Sequence, residues 1–207
     1  MSKTEIRAFN FEVRAEQNEE HGHFLSGQPI VYNEKTNLGW YDEIIADGAL
    51  ADTDLRDVRF LVNHNTDMIP LARSRNNNTN STMQMEVVPG SGMDIRVDLD
   101  TENNSDARSL YSAVERGDIS GMSFMFTVKA DAWDDIDSDH PTRTIRSIER
   151  VLEVSAVTFP AYEATSIQAR GLSDALESAK ESLESERARR REIERRKEKA
   201  RILLEVF

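Results

Sequence analysis

The chain has 207 residues, a formal charge of −12, 38% apolar and 31% charged residues, and no cysteine. That length supports one domain with a full hydrophobic core plus an appendage, and the lack of thiols excludes disulfides and thiolate chemistry. The acidic balance argues against a DNA-binding body, and no apolar run approaches the roughly 18–20 residues of a membrane span.

The first thirteen residues contain no apolar stretch of the kind a secretory signal needs, which fits a cytoplasmic protein. Residues 5–170 then read as strand-rich. Over 5–14, Phe9, Phe11 and Val13 share one face of an alternating strand. Residues 23–32 form an apolar run broken by a turn at Gly27. A short helix is expected at 49–57. Residues 58–64 alternate, with Val58, Phe60 and Val62 on one face. Strands at 83–88 and 94–100 are joined through the turn at 89–93 as a hairpin. A helix spans 105–117: Ser105 or the asparagine before it caps the start, Ala107, Leu110, Tyr111 and Val114 recur at helical spacing, and Gly117 ends it. Strands at 121–128 and 145–159 flank an acidic loop that reads as mobile.

Charge divides the chain. Residues 173–207 hold ten Lys/Arg and nine Asp/Glu, which leaves 1–172 with 16 basic and 29 acidic residues, a net of −13. The expected organisation is therefore a body at 1–171 and a charged helical tail at 172–207. Leu172, Leu176, Ala179 and Leu183 lie on a heptad-like stripe that Ile193, Ala200, Leu204 and Phe207 continue, interrupted by Glu186, Arg190 and Lys197. A long solvated helix and a weak coiled-coil seam fit this pattern equally well.

Chemistry at neutral pH most often uses histidine as a base. His21 and His23 have a spacing that can chelate a metal on a strand, but no further ligands cluster with them, so no metal or cofactor is expected. His140 sits in the acidic loop. His64 differs: alternation from Val58 carries it onto an inward face where a strand meets a loop. Taken alone it reads better as a satisfied core histidine than as a base. Ser123 follows Gly121 and opens an apolar strand, with Met122, Phe124, Phe126 and Val128 on the opposite face, a position expected to be accessible. The plain alternative is a strand-start serine bonded to backbone. Glu153 falls with Val151, Ser155, Val157 and Phe159 on one face, so if buried it needs a partner, for which a histidine would serve. Its plain alternative is an edge-strand glutamate reaching solvent. Ser155 is the rival hydroxyl. Together these supply the hydroxyl, imidazole and carboxylate that a nucleophile–base–acid triad requires.

Three segments in order, FLVNHN (60–65), GDISGMSFMF (117–126) and LEVSAVTFPAY (152–162), with YDEIIADGAL (41–50) before them, resemble the tailed-phage prohead proteases over about residues 5–170. That family is similar in fold to the herpesvirus assemblins. The resemblance implies an α+β, mainly β fold: a closed β-barrel flanked by helices, followed by the long charged helix. It implies Ser123 as nucleophile, His64 as general base and Glu153 as the third member, where assemblins use a second histidine. The oxyanion donors are expected to be backbone N–H groups; the Arg143–Arg146 region and the loop after Pro160 are candidates for that neighbourhood. The chain departs from the family pattern at Asn65, Leu50 and Ala72, none of them a triad position.

The implied activity is that of a serine endopeptidase. Its substrates would be scaffold protein, the scaffolding segment of the major capsid protein, and itself, inside the assembling procapsid in the host cytoplasm. No membrane or nucleic-acid partner is implied, and a homo-oligomer is left open. The competing reading is a non-enzymatic capsid-assembly protein with an inert barrel and a helical interaction tail. For the basic stretch at 187–201, interleaved Glu192, Glu194 and Glu198 favour a solvated helix face over nucleic-acid contact.

Overall fold

The computed structural model describes residues 4–9, 13–158 and 169–205. In chain order the elements are β1 (Thr4–Phe9), β2 (Val13–Asn18), β3 (Gly22–Val31), β4 (Thr36–Asn37), β5 (Asp42–Ile45), β6 (Asp57–Val62), β7 (Ala72–Arg75), β8 (Met83–Val88), β9 (Gly92–Asp98), α1 (Ser105–Glu115), β10 (Gly121–Asp134), β11 (Thr142–Val157) and α2 (Ala169–Glu205). The class is α+β and mainly sheet, as the sequence suggests.

The long strand β11 organises the first sheet. One edge runs antiparallel to β10, which in turn pairs with β1. Its other edge is shared: Thr142 to Ile145 run parallel to β5, and Glu153 to Ala156 run parallel to β6. β4 and β7 extend these two branches, giving seven strands. The second sheet has the order β2-β3-β9-β8. Phe60, Phe124, Phe126 and Val154 from the first sheet and Leu25, Ile30, Met83, Met93 and Val97 from the second fill one fully buried core with α1.

The expected closed barrel is not found among the described residues; the pairings make two open sheets. Where β7 and β8 approach, hydroxyls stand in for ladder partners: Thr82 Oγ1 accepts from the Arg73 N–H at 2.9 Å and Ser81 Oγ from the Arg75 N–H at 2.9 Å. The strand expected over 5–14 is two strands in different sheets, β1 on β10 and β2 on β3. Alternation records which side a residue faces and not which strand lies beside it; Phe11 lies outside the described residues. At Gly27 the expected turn is a register irregularity within one strand. The hairpin of β8 and β9 is as expected, and its Gly92 has φ +145° with the position of an added Cβ only 1.9 Å from the Ile30 carbonyl oxygen.

α1 starts as the sequence indicates: Asn104 caps it, its side chain accepting from the Asp106 and Ala107 N–H groups, and Gly117 follows its end at φ +78°. No helix forms at 49–57. Successive turns close there through Ala49 N–H to Ala46, Ala51 N–H to Gly48 and Thr53 N–H to Leu50. The acidic loop expected after 128 is largely ordered hairpin, because β10 continues to Asp134 and β11 begins at Thr142. Trp133 and Ile136 in this region are buried against Tyr41 and against Ala179 and Leu183 of α2. The first half of α2 therefore covers the body, and Ile193 and Ile202 further along are exposed. Phe207 lies outside the described residues. Among the described residues no helix is long and apolar enough to cross a membrane.

Candidate active site

β11 lies between the strand that carries Ser123 and the strand that leads to His64. Ser123 on β10 is in register with Ser155, and Met125 with Glu153; on the other edge Val62, the last residue of β6, is level with Ala156. Ser123 and Ser155 therefore share one face of the sheet, and Glu153, two residues along β11, shares it too.

A β-bulge keeps that face distinct from the core. The register shifts between Met125 and Phe126, so Phe126 pairs with Val151 where an unbroken ladder would offer Leu152. Val151 joins the core cluster with Phe124 and Phe126. The alternation expected to group Val151 with Glu153 is broken here, and one extra residue re-aims the strand.

His64 does not continue β6. The strand ends at Val62, and Asn63 and His64 both adopt left-handed conformations, with φ of +51° and +56°. Such values are uncommon for residues with side chains, though asparagine and histidine tolerate them best. The turn is held from β11: Asn63 N–H donates to the Ala156 carbonyl at 3.0 Å, the Thr158 N–H donates to Asn63 Oδ1 at 3.0 Å, and Asn63 Nδ2 donates to Thr158 Oγ1 at 3.1 Å. The imidazole thereby crosses the end of β11. Simple alternation from Val58 would put His64 on the core face with Phe60 and Val62; the two left-handed residues turn it instead to the face of Glu153 and Ser155.

The three sequence candidates meet. His64 Nε2 lies 2.6 Å from Ser123 Oγ, and His64 Nδ1 lies 2.5 Å from Glu153 Oε1. The Glu153 side chain is 3% exposed and that of His64 9%, so the pair is shielded from bulk water. Glu153 is not an edge glutamate reaching solvent; its second oxygen, Oε2, accepts from Ser155 Oγ at 2.5 Å. Ser155 Oγ also accepts from the backbone N–H of His64 at 3.1 Å.

Ser123 differs from expectation in one respect. It has no exposed surface, and its Oγ also lies 2.7 Å from the Arg7 carbonyl of β1. A hydroxyl has one proton and here faces two acceptors. With His64 neutral and its proton on Nδ1 toward Glu153, the Ser123 proton points to Nε2. With His64 protonated, Nε2–H donates to Oγ and the hydroxyl turns to Arg7. The first arrangement is the one competent for proton removal by the imidazole.

The strand that touches Ser123 is pinned by charges that sequence reasoning missed. Arg7, Glu5, Glu43 and Arg143 are each no more than 2% exposed. Glu43 accepts from Arg7 Nε, from Arg7 NH2 at 2.7 Å and from Arg143 NH1 at 3.2 Å. Glu5 accepts from Arg7 NH2 at 2.6 Å, from Arg143 at 2.8 and 3.0 Å, and from Ser178 of α2 at 3.0 Å. Asp131 joins them, accepting from Arg143 Nε and from Ser182 of α2. Burial disfavours the charge on Arg7, but Glu43 foremost, with Tyr41 and Glu5, more than offsets it and holds the guanidinium well above its usual value. Burial pushes the Tyr41 hydroxyl up to about 12. Arg143 is committed to this network, Arg146 is exposed, and the segment after Pro160 lies outside the described residues. An alternating Glu-x-Arg on a strand was the available signal, and it does not distinguish a buried pair from a solvated one.

The other histidines are engaged elsewhere. His23 Nδ1 lies 2.8 Å from Thr101 Oγ1, with its ring edge-on to Tyr111, and His140 Nε2 lies 2.9 Å from Asp42. Among the described residues no cluster of histidine and carboxylate side chains is arranged to hold a metal ion.

A hydroxyl, an imidazole and a carboxylate linked in this order are the parts of a serine-nucleophile relay. Residues 9–180 match the family of caudovirus prohead serine proteases, and the chain belongs to that family. It is 29% identical over 161 residues to the prohead protease of Enterobacteria phage HK97, covering 76% of this chain; it spans 64% of that protein's length. The capsid assembly protease of bacteriophage T4 overlays with a TM-score of 0.39 at 11% identity, covering 75% of this chain and 99% of that one.

Proposed function

We propose that this chain is a serine endopeptidase of prohead maturation, with Ser123 as nucleophile, His64 as general base and Glu153 as the acid that orients it. The observation that carries the reading is the unbroken contact from Ser123 Oγ through both ring nitrogens of His64 to Glu153. Neutral His64 takes the Ser123 proton as Oγ attacks a peptide carbonyl, and Glu153 stabilises the imidazolium that forms. His64 then gives the proton to the leaving amine, and water releases the acyl group by the same steps in reverse. The substrates we assign are scaffold protein or the scaffolding segment of the capsid subunit, and this chain itself, inside the procapsid in the host cytoplasm. Family membership supports that assignment. Co-expression of Ser123→Ala with the capsid subunit tests it: trimming should stop, and an unchanged trimmed product would remove Ser123 from the role. The alternative of a non-enzymatic capsid-assembly protein predicts no labelling of the chain by a fluorophosphonate.

We also propose that the distal part of the charged tail at 172–207 is a docking arm for scaffold helices. The proximal half covers Trp133 and Tyr41, so the informative truncation removes only 188–207. Fewer protease copies per prohead are expected, with the body still folded; unchanged incorporation would exclude the docking role.

A further inference from the structure

Ser155 is the hydroxyl that competes with Ser123 in the sequence, and its surroundings give it a different task. It sits level with Ser123 across the β10–β11 pair and has no exposed surface. Its single proton goes to Glu153 Oε2 at 2.5 Å, and its oxygen receives the His64 backbone N–H at 3.1 Å. The hydroxyl is thus occupied on both sides by members of the proposed relay.

We infer that Ser155 is a positioning residue for that relay, a clip that sets the plane of the Glu153 carboxylate and the backbone of His64 together. This rests on the protease reading above. The physical need is specific. The terminal torsion of a glutamate is broad and nearly two-fold, so one hydrogen bond to His64 leaves the carboxylate free to rotate out of line. A second bond, from Ser155 to Oε2, fixes the plane in which Oε1 meets Nδ1. His64 has the complementary problem. Its left-handed backbone is a conformation that side-chain-bearing residues hold only when their surroundings over-determine it. The Ser155 oxygen fixes the His64 N–H, while bonds from Asn63 to Ala156 and Thr158 fix the residue before it. Without the clip, base and acid lose their common reference on β11.

The hydrogen bonds of Ser155 go to Glu153 and His64, and those of Ser123 to His64 and Arg7, so loss of Ser155 should slow the chemical step without weakening binding. The test uses the full chain and a fluorophosphonate probe, whose saturable labelling of Ser123 separates kinact from KI. Ser155→Ala is expected to lower kinact by about 10- to 100-fold, the range typical of partners that orient a metal-bound histidine. KI and the melting temperature should remain near wild type. Ser155→Thr, which keeps the hydroxyl, should recover most of the rate, and Ser155→Cys, with its weaker donor, should fall between. A kinact for S155A near wild type overturns the inference, as does a loss of rate that follows loss of folded protein across all three variants. Ser123→Ala separates the two levels of the argument. If it is not labelled and S155A keeps full kinact, only the clip is wrong; if it is labelled at the wild-type rate, the protease reading fails and the clip with it.

Discussion

Glu43→Gln probes the network that holds β1 against β10, the strand that carries Ser123. The substitution preserves volume but removes the charge that Arg7 and Arg143 share, and it turns an amide N–H toward guanidinium donors. Three contacts are affected: those from Arg7 Nε, Arg7 NH2 and Arg143 NH1. Removing one partner of a buried ion pair costs about 3–5 kcal/mol, because a buried charge is left without compensation. Glu5 still faces both arginines, at 2.6 Å from Arg7 and 2.8 Å from Arg143, which places the expected loss at the lower end, about 3 kcal/mol. That is a large share of the roughly 5–15 kcal/mol that holds a typical domain folded. With a urea slope of about 2 kcal/mol/M, the midpoint should fall by about 1.5 M without a change in slope. Trp133 and Trp40 stack beside Tyr41, 5.8 Å apart, and provide the fluorescence readout next to the network. A loss below about 1 kcal/mol at unchanged slope would refute the argument, since it would mean that the charges are solvated or already balanced without Glu43.

Gly92→Ala should be among the most damaging single-methyl additions in the chain. The new Cβ would sit 1.9 Å from the Ile30 carbonyl oxygen, a backbone atom that cannot swing away, so the β3–β9 pairing must separate. A melting temperature within a degree or two of wild type would contradict this. The network also predicts acid sensitivity. Burial pushes the Glu5 carboxyl up, but Arg7, then Arg143 and Ser178, outweigh it and hold it below its ordinary 4.5. A carboxyl depressed in the folded state contributes stability that is complete above its unfolded pKa and is lost as pH falls through the folded value. Urea midpoints should therefore decline below about pH 4.5 in wild type and decline less steeply in Glu5→Gln; parallel slopes would sink the assignment.

The elements that the sequence revealed are those whose signal is local. The β8–β9 hairpin and α1 follow from alternation, from Asn104 as a cap and from Gly117 as a stop, each set within a few residues. The three candidate site residues were legible as residue types in ordered segments, but each alone had a plain structural alternative. Other features misled. Alternation ran through 5–14 without showing that β1 and β2 belong to different sheets, and through Val151 and Glu153 without showing the bulge that separates them. Acidity at 130–141 looked like mobility, yet Trp133 and Ile136 lie under α2.

What the amino-acid sequence determined by itself was the inventory: an acidic, thiol-free body rich in strands, a long charged helix, and Ser123, His64 and Glu153 in family order. What only the tertiary structure decided was convergence. A hydrogen-bonded relay depends on separations of under 3 Å between residues 59 and 89 positions apart, and these are set by which edges of β11 the strands β10 and β6 occupy. The left-handed turn at His64, the enclosure of Ser123 beside Arg7, and the clip formed by Ser155 all depend on backbone groups of other strands. Those groups are identical in every residue, so the sequence carries no mark of them until the chain has folded.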